Sequence, residues 1–219
     1  MKALFIAGTG TDLGKTHVAC ALLRAARARG ARVDAFKPVV SGFDPAAPET
    51  SDPARLAAAL GRPDAWAEVS PRRYAAALAP NIAARLEGET LAMDDLIADC
   101  QSWLAGRAVD LALVEGAGGV MSPLTDEATN LDLMIALRLP VLLVAGSYLG
   151  TVSHVLTALE ALRARDLAVA AIVVSESLDA PDLAQTVAML GRFERRAPIV
   201  TAPRDAAWTA DALAERLLA

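Results

Sequence analysis

Lysine is nearly absent from this sequence. Of 21 basic residues in 219, only Lys2, Lys15 and Lys37 are lysines, and arginine supplies the rest. Cysteine and histidine occur twice each, and aromatic residues make up 4%. Each shortage excludes something. Cys20 and Cys100 lie singly in apolar helical contexts, which gives no disulfide framework and predicts buried, reduced thiols in a cytoplasmic protein. Two histidines and no clustered cysteines leave a zinc site without ligands, and His17 and His154 read as structural residues. The basic residues number 21 against 26 acidic ones, a net charge of −5, which argues against a nucleic-acid or anionic-membrane binder. No apolar run approaches the roughly 20 residues of a membrane span. Residues 3–7 read as a first core strand rather than as the apolar stretch of a signal peptide.

What is abundant is small and apolar. Hydrophobic residues make up 54% and charged residues 21%, enough to bury a sizeable core within one domain spanning residues 1–219. In a chain that uses arginine almost everywhere, a retained lysine is a candidate for a place where a rigid, permanently charged fork will not serve, against the alternative that three lysines fall by chance. Lysine is a compact point charge that can approach a phosphate closely. Lys15 and Lys37 are therefore the residues to place first.

Short apolar runs alternate with longer alanine-rich segments. Strands are predicted over residues 3–7, 32–36, 111–114, 141–145, 169–174 and 199–201. Helices are predicted over 16–29, 53–60, 81–86, 94–104, 131–137, 151–165, 181–193 and 206–218. The strand runs are almost continuously apolar, as strands covered on both faces are. The alternation predicts an α/β fold, a mostly parallel sheet with helices on both faces, with ligands gathering at the carboxyl edge of the strands. Residues 41–52, rich in proline, acid and serine, read as a surface loop.

After the first strand comes Gly8-Thr9-Gly10-Thr11-Asp12-Leu13-Gly14-Lys15-Thr16, followed by a helix. Such a turn presents backbone N–H groups and a helix N-terminus to an anion, the lysine adds charge at the β- and γ-phosphates, and the hydroxyl can ligate magnesium. The usual loop has four residues between its first glycine and Gly-Lys-Thr; here there are five. The run 111–114 ends in Glu115, followed by Gly116-Ala117-Gly118-Gly119. An acid at the end of a buried strand stands beside the phosphate loop and can hold magnesium. Asp52 opens a helix before Pro53, where capping and metal contact are compatible roles. Lys37-Pro38 with Ser41-Gly42 follows the second strand at the same edge. Gly146 to Thr151 follows a later strand and opens a helix with N–H groups suited to a carboxylate.

With these residues together, the chain resembles the ATP-dependent dethiobiotin synthetases over essentially its whole length, within the P-loop NTPase-like class. The resemblance implies a cyclo-ligase that closes the ureido ring of dethiobiotin from 7,8-diaminopelargonate, carbon dioxide or bicarbonate, and ATP with Mg2+, through a carbamate and a carbamic-phosphoric anhydride. It implies a homodimer with the site at the interface. It carries catalytic roles onto Lys15 and Lys37, and magnesium ligation onto Thr16, Asp52 and Glu115. Substrate contacts fall on Thr11, Lys37, Ser41 and Gly118, with Gly150, Thr151 and Val152 of the partner chain receiving the substrate carboxylate. Nucleotide contacts fall on Asp12, Leu13, Gly14, Lys15, Thr16 and His17, on Asp52, and on Glu115, Gly116, Ala117 and Gly118. They end at the base with Ser175, Glu176, Ala202, Pro203 and Arg204.

Ser175-Glu176 departs from the family, which usually has asparagine there to read the base, and the late loop lacks the usual glycine. Weaker discrimination among nucleoside triphosphates is expected. The main rival is a partner-regulated ATPase of the same superfamily, of the partitioning or division-site type. Those carry an extra lysine early in the loop, where this chain has Gly10. A cobyrinic-acid-type synthase would need a glutaminase domain that 219 residues cannot hold. A nucleotide-binding module without catalysis leaves Lys37 and Ser41 unexplained.

Overall fold

The structure is a computed structural model and describes residues 1–178, 180–204 and 208–218. In chain order the elements are β1 (Lys2–Gly8), α1 (Lys15–Ala28), β2 (Val33–Phe36), β3 (Val39–Ser41), α2 (Asp52–Ala59), α3 (Trp66–Val69), β4 (Arg72–Tyr74), α4 (Pro80–Leu86) and α5 (Met93–Ala105). They continue with β5 (Leu111–Gly119), α6 (Asn130–Leu137), β6 (Val141–Gly146), α7 (Thr151–Arg163), β7 (Val169–Ser175), α8 (Leu183–Phe193), β8 (Ile199–Ala202) and α9 (Asp211–Leu218).

Six strands form a sheet in the order β2-β5-β1-β6-β7-β8, and every neighbouring pair is parallel. The reason is visible in β1. Phe5 and Ala7 face one apolar core, while Leu4 and Ile6 face the other. β5, β6 and β7 split in the same way. Residues on both faces must be apolar, which removes the alternation of a half-exposed strand. One core is closed by α4, α5, α6, α7 and α8, the other by α1, α2 and α9.

The order of connections puts a switch point beside β1. The chain runs from β1 outward to β2 in one direction, and from β5 back past β1 to β6 in the other. The loops at the carboxyl ends diverge there and leave a crevice, the usual ligand position in such sheets.

Two short parallel strands, β3 and β4, form a separate pair that the sequence pattern does not reveal. The α3 turn is also new. Arg73 stacks its guanidinium over Trp66 at 5.1 Å and Phe43 at 5.6 Å, which fastens the start of the 41–52 loop to this small layer. The expected last helix is observed from Asp211, and the residues 206 and 207 assigned to it lie outside the described residues. No helix among the described residues is long and apolar enough to cross a membrane.

Candidate active site

Sheet register brings the first pair of site residues together. β2 and β5 pair with Phe36 opposite Val114. The next residue on each strand is therefore Lys37 and Glu115, abreast at the carboxyl edge although 78 positions apart in sequence. Lys37 Nζ donates to Glu115 Oε1 at 2.7 Å and to Asp52 Oδ2 at 2.6 Å. Thr16 Oγ1, in the first turn of α1, donates to the same Glu115 Oε1 at 2.7 Å. Lys37 and Glu115 are both buried. Burial alone would drive Lys37 below its ordinary value, but Glu115 and Asp52 together hold it above. Burial would raise the Asp52 carboxyl, and the Lys37 charge overrides this and keeps it low.

Asp52 is free to do this because it does not cap α2. Sequence reading left capping open for it; the structure gives that role to Ser51, whose Oγ accepts from the Ala54 N–H at 3.3 Å. Asp52 occupies the first helical position and turns its carboxylate to Lys37.

The phosphate loop closes against the end of β5 by backbone contact. A Cβ on Gly8 would sit 2.7 Å from the Gly10 carbonyl oxygen, and one on Gly119 would sit 3.1 Å from the Gly10 nitrogen. Only glycine allows that approach. Gly14 takes a left-handed φ of 86° and opens α1. Lys15 Nζ donates to Gly10 O at 3.1 Å across the loop. Burial lowers the Lys15 ammonium below its ordinary value, opposed by Glu115.

These elements surround a cavity of about 670 Å³. Its walls come from six strand ends and the start of α2. Thr11, Asp12, Leu13, Gly14, Lys15, Thr16 and His17 follow β1, Lys37 follows β2, and Ser41 ends β3. Asp52 enters from α2, and Ala117 and Gly118 from β5. Ser175 and Glu176 stand at β7, and Ala202, Pro203 and Arg204 at β8. Glu115 lies beneath the floor, and Gly116 is packed against Asn130 and Phe5 rather than exposed to the cavity.

Thr16, Asp52 and Glu115 offer oxygens only, the donor set of a hard divalent cation. Glu115 Oε2 is buried with no hydrogen-bond partner, as an oxygen awaiting a cation would be. No cluster of three or more His, Cys, Asp and Glu side chains exists among the described residues, so such an ion would take its remaining ligands from phosphate and water. The residues present fit a phosphate-bound metal.

A family model described as an AAA domain matches residues 2–204. The ATP-dependent dethiobiotin synthetase BioD of Caulobacter vibrioides is 75% identical over 219 residues, covering all of both chains. That of a Caulobacter sp. is 65% identical over the whole of this chain and 95% of its own length. The chain belongs to the ATP-dependent dethiobiotin synthetase family. Among solved structures, the MinC:MinD cell division protein complex of Aquifex aeolicus aligns with a TM-score of 0.52 at 11% identity, over all of this chain and 86% of that one. At that identity the likeness speaks to the fold alone.

The three residues expected to receive a substrate carboxylate, Gly150, Thr151 and Val152, stand apart from the cavity. Gly150 opens α7 with φ 97°, and Thr151 donates its hydroxyl to Gly146 O at 2.6 Å and its N–H to Tyr148 O at 3.1 Å. Gly150, Thr151 and Val152 therefore do not reach the cleft of their own chain. His17 lines the cleft against Trp208, and burial followed by the charges of Arg55, Arg24 and Arg204 lowers its imidazole. His154 instead meets the Tyr148 hydroxyl at 2.7 Å.

Sequence reading missed Val40, Arg55, Ser177 and Leu178, all of which line the cavity. Arg55 had a usable signal, since it lies one helical turn after Asp52. Ser177 had none: it is placed by reciprocal hydrogen bonds with Ser147, 30 positions away.

The Lys37 bridge sets a pH signature. The depressed Asp52 carboxyl stabilises the fold above the ordinary carboxylate value near about 3.9, and that contribution fades as pH falls through the folded value. The raised Lys37 contributes fully below its ordinary value near about 10.4 and fades above it. Lys37→Met is expected to lose about 3 kcal/mol of stability at pH 7, because it strands buried carboxylate charge. The deficit should shrink as pH falls below about 4 towards the depressed value at which folded Asp52 takes up its proton. Urea denaturation of both proteins in a series from pH 7 down to about pH 2.5 reads this out; equal stability at pH 7, or a deficit indifferent to pH over the whole series, contradicts the bridge.

Proposed function

We propose that this protein closes the ureido ring of dethiobiotin from 7,8-diaminopelargonate, carbon dioxide and ATP, releasing ADP and phosphate in biotin biosynthesis. The observation that carries the reading is the Lys37 ammonium, held at the floor of a phosphate-binding cleft by Glu115 and Asp52. A second ammonium at that place suits an anionic acceptor such as a carbamate, which must come close to an anionic phosphoryl group.

One substrate amine takes up carbon dioxide and loses a proton, giving a carbamate. A carbamate oxygen attacks the γ-phosphorus as the bond to ADP breaks. The second amine then attacks the carbamoyl carbon, that carbon–oxygen bond breaks, and phosphate leaves with the ring closed. Each partner in the first transfer is anionic, so positioning and charge neutralisation are the main demands. Lys15 would hold the β- and γ-phosphoryl oxygens. Lys37 would hold the carbamate beside them and stabilise charge on the transferring group. Thr11, Ser41 and the backbone at Gly118 would orient the diamine or carbamate. Thr16, Asp52 and Glu115 would hold Mg2+, which supplies charge neutralisation at the phosphoryl oxygens when bound.

A homodimer belongs to the same reading. Gly150 and Val152 stand outside their own cleft, next to Leu149, which is 90% exposed. A partner's substrate could meet them there, with its carboxylate at the start of α7. The two free, buried cysteines agree with a cytoplasmic setting, and the continuous sheet with its two flanking cores agrees with one domain. A partner-regulated ATPase is not favoured: its likeness to this chain is one of fold, and Gly10 stands where its extra lysine would be.

The test is ADP release with the diamine and bicarbonate added separately and together. ADP should appear at speed only with both, and Lys37→Arg should lower kcat far more than it weakens ATP binding. Release indifferent to the diamine overturns the proposal.

The base end of the cleft yields a second expectation. The Glu176 N–H donates to Ala202 O at 2.9 Å, the Ser177 N–H to Ser147 Oγ at 3.0 Å and the Arg204 N–H to Glu176 Oε2 at 2.8 Å. Pro203 has no N–H. A Cβ on Gly14 would meet Ser175 Oγ at 2.9 Å, so that hydroxyl lies against the phosphate loop. Few donors remain to read a base, and turnover with ATP, CTP and GTP should agree within about tenfold. Strict dependence on ATP would contradict this.

A further inference from the structure

Seven arginines, among them Arg32, Arg72 and Arg163, pair with carboxylates. Arg55 is among those that do not, and what sets it apart from most of them is its place in the cavity. Among the described residues no carboxylate lies within ion-pair distance of it, and it lines the nucleotide cavity as an exposed side chain. It sits three positions after Asp52, so α2 presents both side chains on one face. The carboxylate and the guanidinium thus enter the same cleft in a fixed order along the helix.

That order locates Arg55 along the nucleotide. Asp52 reaches to Lys37, at the end where the phosphoryl group would be transferred. Arg55 lies one turn further along α2 and lines the same cavity as His17, in the first turn of α1. Arg204 lines that cavity at the base end. Arg55 therefore faces the stretch between the transfer end and the base end, over the N-terminus of α1. In a nucleoside triphosphate held by the phosphate loop, that stretch is the α- and β-phosphoryl groups.

We propose that Arg55 is a nucleotide-binding residue that contacts the α- and β-phosphoryl oxygens. This rests on the reading of the cleft as an ATP site. A guanidinium fork matches two phosphoryl oxygens at once, which a lysine does not. Because ATP and ADP share these oxygens, the contact binds substrate, transition state and product alike. Uniform binding of that kind lowers KM and leaves the chemical step alone.

The test compares the wild-type protein with Arg55→Ala and Arg55→Lys, using calorimetric titration with ATP, ADP and inorganic pyrophosphate, and steady-state turnover. Arg55→Ala is expected to weaken all three ligands by a common factor of about tenfold, with Arg55→Lys between. In turnover the loss falls in KM for ATP rather than in kcat. Arg85→Ala, whose exposed partner is Asp126 on another surface, serves as the charge control and should bind ATP as the wild type does. Unchanged affinities overturn the proposal. So does a loss for ATP and ADP without a loss for pyrophosphate, which assigns Arg55 to the base or ribose. A loss for ATP alone with a fall in kcat moves it to the γ-phosphoryl group and also overturns it. If ADP release proves indifferent to the diamine, the synthetase reading fails while these titrations still decide the role of Arg55.

Discussion

A buried ammonium between two carboxylates organises this protein. Lys37 joins the end of β2, the end of β5 through Glu115 and the start of α2 through Asp52, while Thr16 adds the first turn of α1. Four chain segments meet at one charge cluster. Each ion would be costly to bury alone, and each is tolerated because the others surround it. The two carboxylates outnumber the one ammonium they bind directly. Glu115 Oε2 is buried without a partner. A divalent cation held with a nucleotide would place positive charge at that oxygen, while Lys15 faces the phosphates.

Rigidity in the surroundings keeps that charge cluster in place. Gly8, Gly10 and Gly119 bring the phosphate loop and the β5 turn into backbone contact. Asn130 fastens the same turn from below, donating to the carbonyls of Ala117 and Gly119. Thr129 and Asp132 close a capping box that fixes the start of α6 and with it Asn130. The result is a set of N–H donors and ammonium groups arranged before any ligand arrives. Electrostatic stabilisation of a transferring phosphoryl group depends on that kind of preorganisation.

Much of this was legible in the sequence, for physical reasons. The central strands could be read because both of their faces are buried, and that demand leaves uniform apolar runs at residues 3–7, 111–114 and 141–145. The phosphate loop could be read because a glycine-rich turn before Lys15-Thr16 has few other uses. The meeting of Lys37 and Glu115 could be expected from their shared position at strand ends, but the contact itself depends on the β2–β5 register, a long-range choice. The three-residue strands β3 and β4 left no periodicity to detect. Asp52 looked like a cap because Ser51 beside it has the same propensity, and only the fold decides between them. Arg55 escaped notice in a chain where arginine is the ordinary surface cation, and its meaning comes from the cavity it lines one turn after Asp52.

The account makes Lys37 the residue that holds a carbamate for phosphorylation, so the oxygen that bridges carbon and phosphorus must originate in carbon dioxide. The direct measurement is a single turnover with 18O-labelled bicarbonate, quenched before exchange with water, followed by mass analysis of the released phosphate. The account predicts one labelled oxygen in each phosphate formed along with the ring. Phosphate free of label would mean that water, and not the carbamate, attacks ATP, and would contradict it.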